Sequence, residues 1–161
     1  MSKVLCLYYS RSGNTRKAMT EIAGALDAEL VEIRDSADRS GWGGWLRCGM
    51  DSMRKTTQAV TGVETKLPLE SYDLVILGTP VWAGRCSSVM RSFLKSYGKN
   101  LHKVAFVITR GSEGRYERVF DHMDLYTAEP HLAAVSLRSG SVGYIFWQED
   151  FLRQVREVLG R

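Results

Sequence analysis

The residues best suited to chemistry form a short polar loop after the first apolar segment of the chain. The loop reads Ser10-Arg11-Ser12-Gly13-Asn14-Thr15 and leads into a helical pattern at residues 16–26. Its hydroxyl side chains can hydrogen-bond a ligand, and its glycine lets the backbone approach that ligand closely. The free N–H groups at the helix start favour negative charge. The loop is therefore predicted to bind a phosphate monoester; the alternative is a simple strand-to-helix turn with a cap.

Two further polar loops, each with glycines, follow predicted buried strands. One reads Gly78-Thr79-Pro80-Val81-Trp82-Ala83-Gly84, and the other reads Thr109-Arg110-Gly111-Ser112-Glu113-Gly114. In the first of these, the proline stiffens the turn and the tryptophan offers a flat apolar surface. Loops that follow parallel strands lie at the same edge of a sheet. Together the three loops predict one pocket for a ligand with a phosphate, a polyol and a planar ring.

The elements that must position these loops alternate between strand and helix. Apolar runs predict strands from Val4, at 29–34, at 74–78, at 103–109 and at 131–137. Helical patterns fall at 16–26, at 45–58, from the second loop to about Tyr97, around Tyr116–Met123 and at the C-terminus, with Val158 on its apolar stripe. This alternation predicts an α/β fold with a parallel sheet covered by helices on both faces. The length favours a single domain over residues 1–161.

At the first two loops the sequence resembles the flavodoxin family. Residues 10–15 look like its phosphate loop, and residues 78–84 look like its ring loop. The resemblance implies a doubly wound, five-stranded parallel sheet of order 2-1-3-4-5, with FMN bound where the strand order reverses. It places the FMN phosphate on Ser10, Arg11, Ser12, Gly13, Asn14 and Thr15. It places the isoalloxazine ring against Thr79, Pro80, Val81, Trp82, Ala83 and Gly84, with the tryptophan stacking, and closes the opposite rim with Thr109, Arg110, Gly111 and Gly114.

Two features depart from the pattern of many electron-carrying flavodoxins, which are strongly acidic. The chain has 22 Lys and Arg against 18 Asp and Glu, a formal net charge of +4. Surroundings with less negative charge destabilise the anionic reduced flavin to a smaller extent. We therefore expect the redox potential of the flavin to be less negative than in the acidic carriers. The third loop, taken as residues 109–114, lacks the aromatic residue that often stacks on the other face of the ring, which predicts a face open to substrate.

Composition and cysteine usage indicate the compartment and the class of partner. The hydrophobic content of 44% and charged content of 25% are those of a soluble protein. Neither a signal peptide nor an apolar run of membrane-spanning length is present. Three cysteines without zinc or CxxC spacing predict reduced thiols in the cytoplasm. Basic residues are dispersed without a nucleic-acid-binding motif, so we predict no nucleic-acid partner.

Several other residues allow more than one interpretation. Trp42 and Trp45, followed by cations, could form a lid or a partner surface, or could pack against the sheet edge. Cys86 lies beside Arg85 at a helix start, which could activate the thiol, although a buried apolar role is favoured. The three scattered histidines predict no metal site.

The leading functional interpretation is an FMN-binding redox protein that passes electrons to a protein partner or to a small acceptor such as a quinone. A non-catalytic flavin-binding interaction or regulatory module is the alternative. Phosphate-ester hydrolysis is a weaker one, since Cys6 and Arg11 give C-x4-R where the cysteine phosphatase loop has C-x5-R.

Overall fold

The computed structural model describes residues 2–35, 60–61 and 63–161. Its strands are β1 (Val4–Tyr8), β2 (Glu29–Glu32), β3 (Arg34–Asp35), β4 (Val60–Thr61), β5 (Leu74–Trp82), β6 (Arg85–Cys86), β7 (Val104–Thr109) and β8 (Ala133–Leu137). Its helices are α1 (Asn14–Leu26), α2 (Ser88–Tyr97), α3 (Arg118–Asp124) and α4 (Tyr144–Leu159). Short 3-10 turns lie at Leu69–Ser71 and Gly98–Asn100. The predicted helix at 45–58, with Trp42, Trp45 and Cys48, lies outside the described residues.

The main sheet has the predicted parallel order. Its strands run β2-β1-β5-β7-β8, which is 2-1-3-4-5 when only the parallel strands are counted. The doubly wound α/β fold is therefore confirmed. Because β1 and β7 both pair with β5, the loops that follow these three strands lie side by side at their carboxyl ends.

The core lies on both faces of the sheet. Alternate residues of each strand point to opposite faces, so Leu5 and Leu7 pack on one side while Cys6 packs on the other. One face is covered by α2 and α3 and the other by α1 and α4, and the central side chains on both are fully buried. No helix among the described residues is long and apolar enough to cross a membrane.

The second loop differs from its prediction because β5 continues through it to Trp82. Pro80 still pairs with Thr109 of β7, and the strand then turns back as a hairpin with β6. Ala83 and Gly84 form the two-residue turn, with φ of 50° and 75°. Positive φ at both positions is the geometry of a type I′ hairpin turn, which matches the strand twist. Most of the predicted loop is therefore held rigidly as sheet.

Three apolar residues of the predicted helical patterns differ from the expectation of a buried helix face. Tyr116 precedes α3 and has φ of 56°, a left-handed conformation that a helix cannot contain. Tyr97 and Val158 lie near the C-terminal ends of their helices and are 37% and 40% exposed. Helical periodicity alone does not show where a helix end passes beyond the core, which is why these two side chains are partly exposed.

Candidate functional site

The three polar loops meet in one cleft at the carboxyl edge of the sheet. The ten described residues that line it all belong to the sixteen predicted from the sequence: Arg11, Ser12, Asn14, Thr15, Pro80, Val81, Trp82, Thr109, Arg110 and Gly111. The other six, Ser10, Gly13, Thr79, Ala83, Gly84 and Gly114, lie in the same loops without lining the cleft. Tertiary structure thus brings together segments almost a hundred residues apart in sequence.

The first loop leaves the start of α1 open toward an anion. Gly13 is the residue before the helix and has φ of 103°, a conformation that favours glycine. Ser10 supports the loop from behind, because its Oγ accepts a hydrogen bond from the Gly13 N–H at 3.0 Å. No side chain caps α1, and its first turn contains no acidic residue. The unpaired N–H groups and the helix dipole therefore point at the cleft without an internal carboxylate to compete.

A buried contact between hydroxyl groups joins the first loop to the third. Thr15 Oγ1 and Thr109 Oγ1 are 2.7 Å apart, and either can donate. The two residues are only 2% and 6% exposed. Because this hydrogen bond lies at the base of both loops, it fixes the distance between the two walls of the cleft.

The second loop is anchored from below by a hydroxyl network. Thr79 is fully buried, and its Oγ1 donates to Ser87 Oγ or Pro80 O and accepts from the Ser87 N–H, each at 3.0 Å. Ser87 in turn caps α2, because its Oγ accepts from the Met90 N–H. Thr79 therefore positions the loop and does not face the cleft, although the sequence assigned it to ligand contact.

The apolar wall of the cleft is formed by Pro80, Val81 and Trp82. Trp82 is only 7% exposed, and its ring packs edge-on against Tyr9 with the centroids 5.5 Å apart. Most of the indole therefore belongs to the core, and stacking of its face on a ligand remains a prediction. Tyr9 packs against the indole and is not among the residues predicted from the sequence; its position directly after β1, next to the first loop, is the signal that could have found it.

The third loop is longer than predicted and contains an aromatic residue. It extends to residue 117 because α3 begins only at Arg118. The Tyr116 hydroxyl lies 2.8 Å from Ser112 Oγ, and its ring lies against the Gly114 backbone, where an added Cβ would approach to 3.3 Å. Tyr116 lies outside the range 109–114 and does not line the cleft, so the open face of the ring stays a prediction. Glu117, the residue before Arg118, is not a typical helix-capping residue, so the sequence does not indicate where the helix starts.

Arg110 is held at the cleft by neutral oxygen atoms. Its Nε donates to Ser136 Oγ at 2.9 Å, and its Nη1 donates to the Ser112 carbonyl at 2.6 Å. Burial lowers the pKa of Arg110, and the nearby charges of Arg115 and Arg138 lower it further. The site therefore contains a positive charge that its surroundings compensate poorly.

The two described thiols, Cys6 and Cys86, are buried. Cys86 is 5% exposed, and burial raises its pKa to about 11 in spite of Arg91 and Arg85, which supports the buried apolar role favoured from the sequence. Cys6 is fully buried in β1, and burial raises its pKa to about 12. A thiol in this state cannot attack a phosphate ester, which disfavours Cys6 as a hydrolase nucleophile.

Nothing in the described part of the chain resembles a metal site. No group of three or more His, Cys, Asp or Glu side chains is arranged to hold an ion there. His131, for example, is committed to the core, where Nδ1 lies 2.9 Å from Asp124 and the ring packs against Phe106 and Phe120.

The comparison with known families agrees with this geometry. A family model described as flavodoxin matches residues 3–134, which is most of the chain. The chain belongs to the flavodoxin family. The match contains all three loops of the cleft, so the family assignment and the site rest on the same segments.

Individual relatives of this flavodoxin-family chain support the fold. A solved flavoprotein in complex with FMN from Lactobacillus acidophilus NCFM is 23% identical, with a TM-score of 0.70, covering 91% of this chain and 99% of that one. A solved structure from Bacteroides eggerthii DSM 20697 is 18% identical, with a TM-score of 0.76, covering 100% and 99%.

One curated relative comes from Methylocella silvestris and is described as an NAD(P)H dehydrogenase (quinone). It is 38% identical over 100 residues, which is 61% of this chain and 48% of the relative. The chain thus matches about half the length of that protein.

Proposed function

We propose that this chain binds FMN in the cleft and acts as a flavin-dependent oxidoreductase that transfers electrons to a small acceptor such as a quinone. The observation that carries the proposal is the composition of the cleft. One end is an uncapped helix start with hydroxyl side chains, which suits a phosphate, and the other end is the apolar surface of Pro80, Val81 and Trp82. FMN has these two ends joined by a polyol.

The residues of the chain divide the work of binding. Ser12, Asn14 and the N–H groups of the first turn of α1 would hold the phosphate, and Gly13 gives them room to approach it. Val81 and Trp82 would lie along the ring, with Thr109 and Gly111 on the opposite rim. FMN supplies the redox chemistry, while the protein binds it, orients it and tunes it.

The choice of a small acceptor is supported by the relative described as an NAD(P)H dehydrogenase (quinone). It also agrees with the net charge of +4, which differs from the acidic surface that many flavodoxins present to cationic partner proteins. None of the described side chains that line the cleft is an acid or a histidine. A mechanism in which the flavin carries the electrons, without a protein acid–base pair, is consistent with that composition.

The binding test compares FMN with riboflavin, which lacks the phosphate. Each is titrated into the apoprotein, and quenching of flavin fluorescence gives the dissociation constant. We expect FMN to bind at least tenfold more tightly than riboflavin, because the phosphate end of the cleft contributes charge-assisted hydrogen bonds of about 1.5–3 kcal/mol each. Equal affinity for the two flavins, or no binding of FMN, would overturn the proposal.

Ser12→Asp provides a sharp variant for this test. The new carboxylate lies beside the start of α1, where the helix dipole stabilises negative charge by about 0.3–1 kcal/mol, so the free energy of unfolding should not fall. The same charge repels a phosphate, so FMN affinity should fall while riboflavin affinity changes little. Thr20→Asp, on an exposed position of the same helix, is the matched control and should leave both affinities unchanged.

Turnover distinguishes the oxidoreductase from a non-catalytic flavin-binding module. The FMN-loaded protein is mixed with NADH or NADPH and a benzoquinone under anaerobic conditions, and oxidation of the nicotinamide is followed by absorbance. We expect quinone-dependent oxidation that requires FMN. Tight FMN binding without any turnover would favour the module.

A further inference from the structure

Arg110 is the one cleft-lining residue whose charge the proposed binding mode does not explain. Arg11 lines the first loop, where a phosphate accounts for a cation, but Arg110 belongs to the third loop on the opposite rim. We propose that Arg110 is a cofactor-tuning residue, a fixed positive charge that stabilises the reduced, anionic flavin over the neutral oxidised flavin. This inference rests on the proposed function and assigns the potential of that site to one side chain.

The guanidinium group is fixed in position before any ligand arrives. Ser136 Oγ accepts from its Nε, and that same hydroxyl donates to the Arg115 carbonyl at 2.7 Å, which sets the direction of its lone pairs. Ser136 is 1% exposed on β8, so the anchor is part of the rigid sheet. The Arg110 backbone N–H also donates to Leu137 O at 3.0 Å. A charge held in this way costs little reorganisation when negative charge develops nearby.

The charge of Arg110 also lacks a partner among the described residues. Arg115 pairs with Glu117 at 2.7 Å, and Arg138 lies 4.0 Å from Glu113, but no described carboxylate forms an ion pair with Arg110. Burial and the charges of Arg115 and Arg138 also lower the pKa of Arg110, because all three disfavour its cationic form. An anion at the cleft would relieve both effects, since opposite charges in a partly desolvated site attract strongly.

Reduction of the flavin supplies such an anion. Two electrons and one proton from a donor convert the neutral ring of oxidised flavin into a ring with one negative charge. A nearby cation therefore binds the reduced flavin more tightly than the oxidised one. The phosphate carries the same charge in both redox states, so a residue that binds only the phosphate leaves the affinity ratio unchanged.

The experiment measures this ratio in the FMN-loaded protein. The midpoint potential of bound FMN is titrated anaerobically with dithionite against a reference dye, in the wild type and in Arg110→Gln. The difference between this potential and that of free FMN gives the ratio of affinities for reduced and oxidised FMN, and a fluorescence titration gives the affinity for oxidised FMN separately. We expect Arg110→Gln to lower this ratio about tenfold, which is a shift of about 30 mV toward negative potential for a two-electron couple. Affinity for oxidised FMN should change little.

Two further variants control for charge and for folding. Arg110→Lys keeps the positive charge and should retain most of the wild-type ratio. If Arg110→Gln does not fold, Arg110→Met replaces it, because methionine also removes the charge and keeps an unbranched side chain. Arg138→Gln removes a cation from the same cluster that does not line the cleft, and it should change the ratio less than twofold.

Each other outcome overturns the inference in a recognisable way. If Arg110→Gln weakens FMN but not riboflavin in the oxidised state, and the ratio is unchanged, Arg110 is a phosphate ligand. If Arg110→Gln and Arg138→Gln shift the potential equally, the effect belongs to the overall charge. If the wild type binds no FMN, the proposed function fails first, and that result is distinct from tight binding with an unchanged ratio.

Discussion

The hydrogen bond between Thr15 and Thr109 offers a quantitative test of how the cleft is assembled. The two hydroxyl oxygens are 2.7 Å apart, and both residues are almost completely buried. Neither side chain has another hydrogen bond within the described part of the chain. Valine has the same branched shape as threonine, so Thr15→Val and Thr109→Val remove a hydroxyl with little change in packing volume.

The magnitudes follow from what each substitution leaves behind. Either single variant strands the remaining hydroxyl in a buried position without a partner, which costs about 1–3 kcal/mol. The double variant removes both groups and leaves no unsatisfied hydroxyl, and it is therefore expected to be nearly as stable as the wild type. If each single variant costs about 1.5 kcal/mol and the double variant costs almost nothing, the coupling energy is about 3 kcal/mol, at the upper end of measured values.

The assay is urea unfolding of the apoprotein for the wild type, both single variants and the double variant, followed by circular dichroism. Equal m-values across the four proteins allow their free energies of unfolding to be compared directly. The reasoning would be refuted if the double variant lost as much stability as the two single variants together. Such additivity would mean that the two hydroxyls act independently and that the contact does not join the loops.

Three further predictions test other parts of the structure. Gly13→Ala should lower the free energy of unfolding by about 1–2 kcal/mol in urea, because alanine is strained at a φ of 103°; an unchanged midpoint would contradict the loop geometry. Cys86 should resist iodoacetamide at pH 8 in the native protein and react after unfolding in urea, because burial raises its pKa to about 11. Mass spectrometry that showed labelling of Cys86 in the native protein would refute this. Burial and a hydrogen bond to Glu21 raise the pKa of Tyr144 in the folded protein. The contribution of Tyr144 to the free energy of unfolding is therefore complete below pH about 10, the pKa of an unfolded tyrosine, and is lost as the pH rises further. Tyr144→Phe should therefore lose less stability than the wild type between about pH 10 and 11.5 in urea titrations, and equal losses would show that Tyr144 is not responsible.

The sequence alone determined the parallel sheet and the loops of the cleft. Apolar runs such as Val4–Tyr8, alternating with helical periods, require a sheet buried on both faces, and parallel connection places every following loop at one edge. The composition of a loop such as residues 10–15 is local information. For this reason the sequence alone names every lining residue in the described part of the chain.

Tertiary structure decided which of those residues face the ligand and which support them. Thr79 and Thr109 lie in neighbouring strands, β5 and β7, and have the same side chain. Thr79 hydrogen-bonds the residue that caps α2, whereas Thr109 lines the cleft. Local sequence does not contain the hairpin that extends β5, the left-handed backbone at Tyr116, or the arginines that gather around Arg110. Those features depend on contacts between residues far apart in the chain, and burial and electrostatic compensation are fixed only when the strands are assembled.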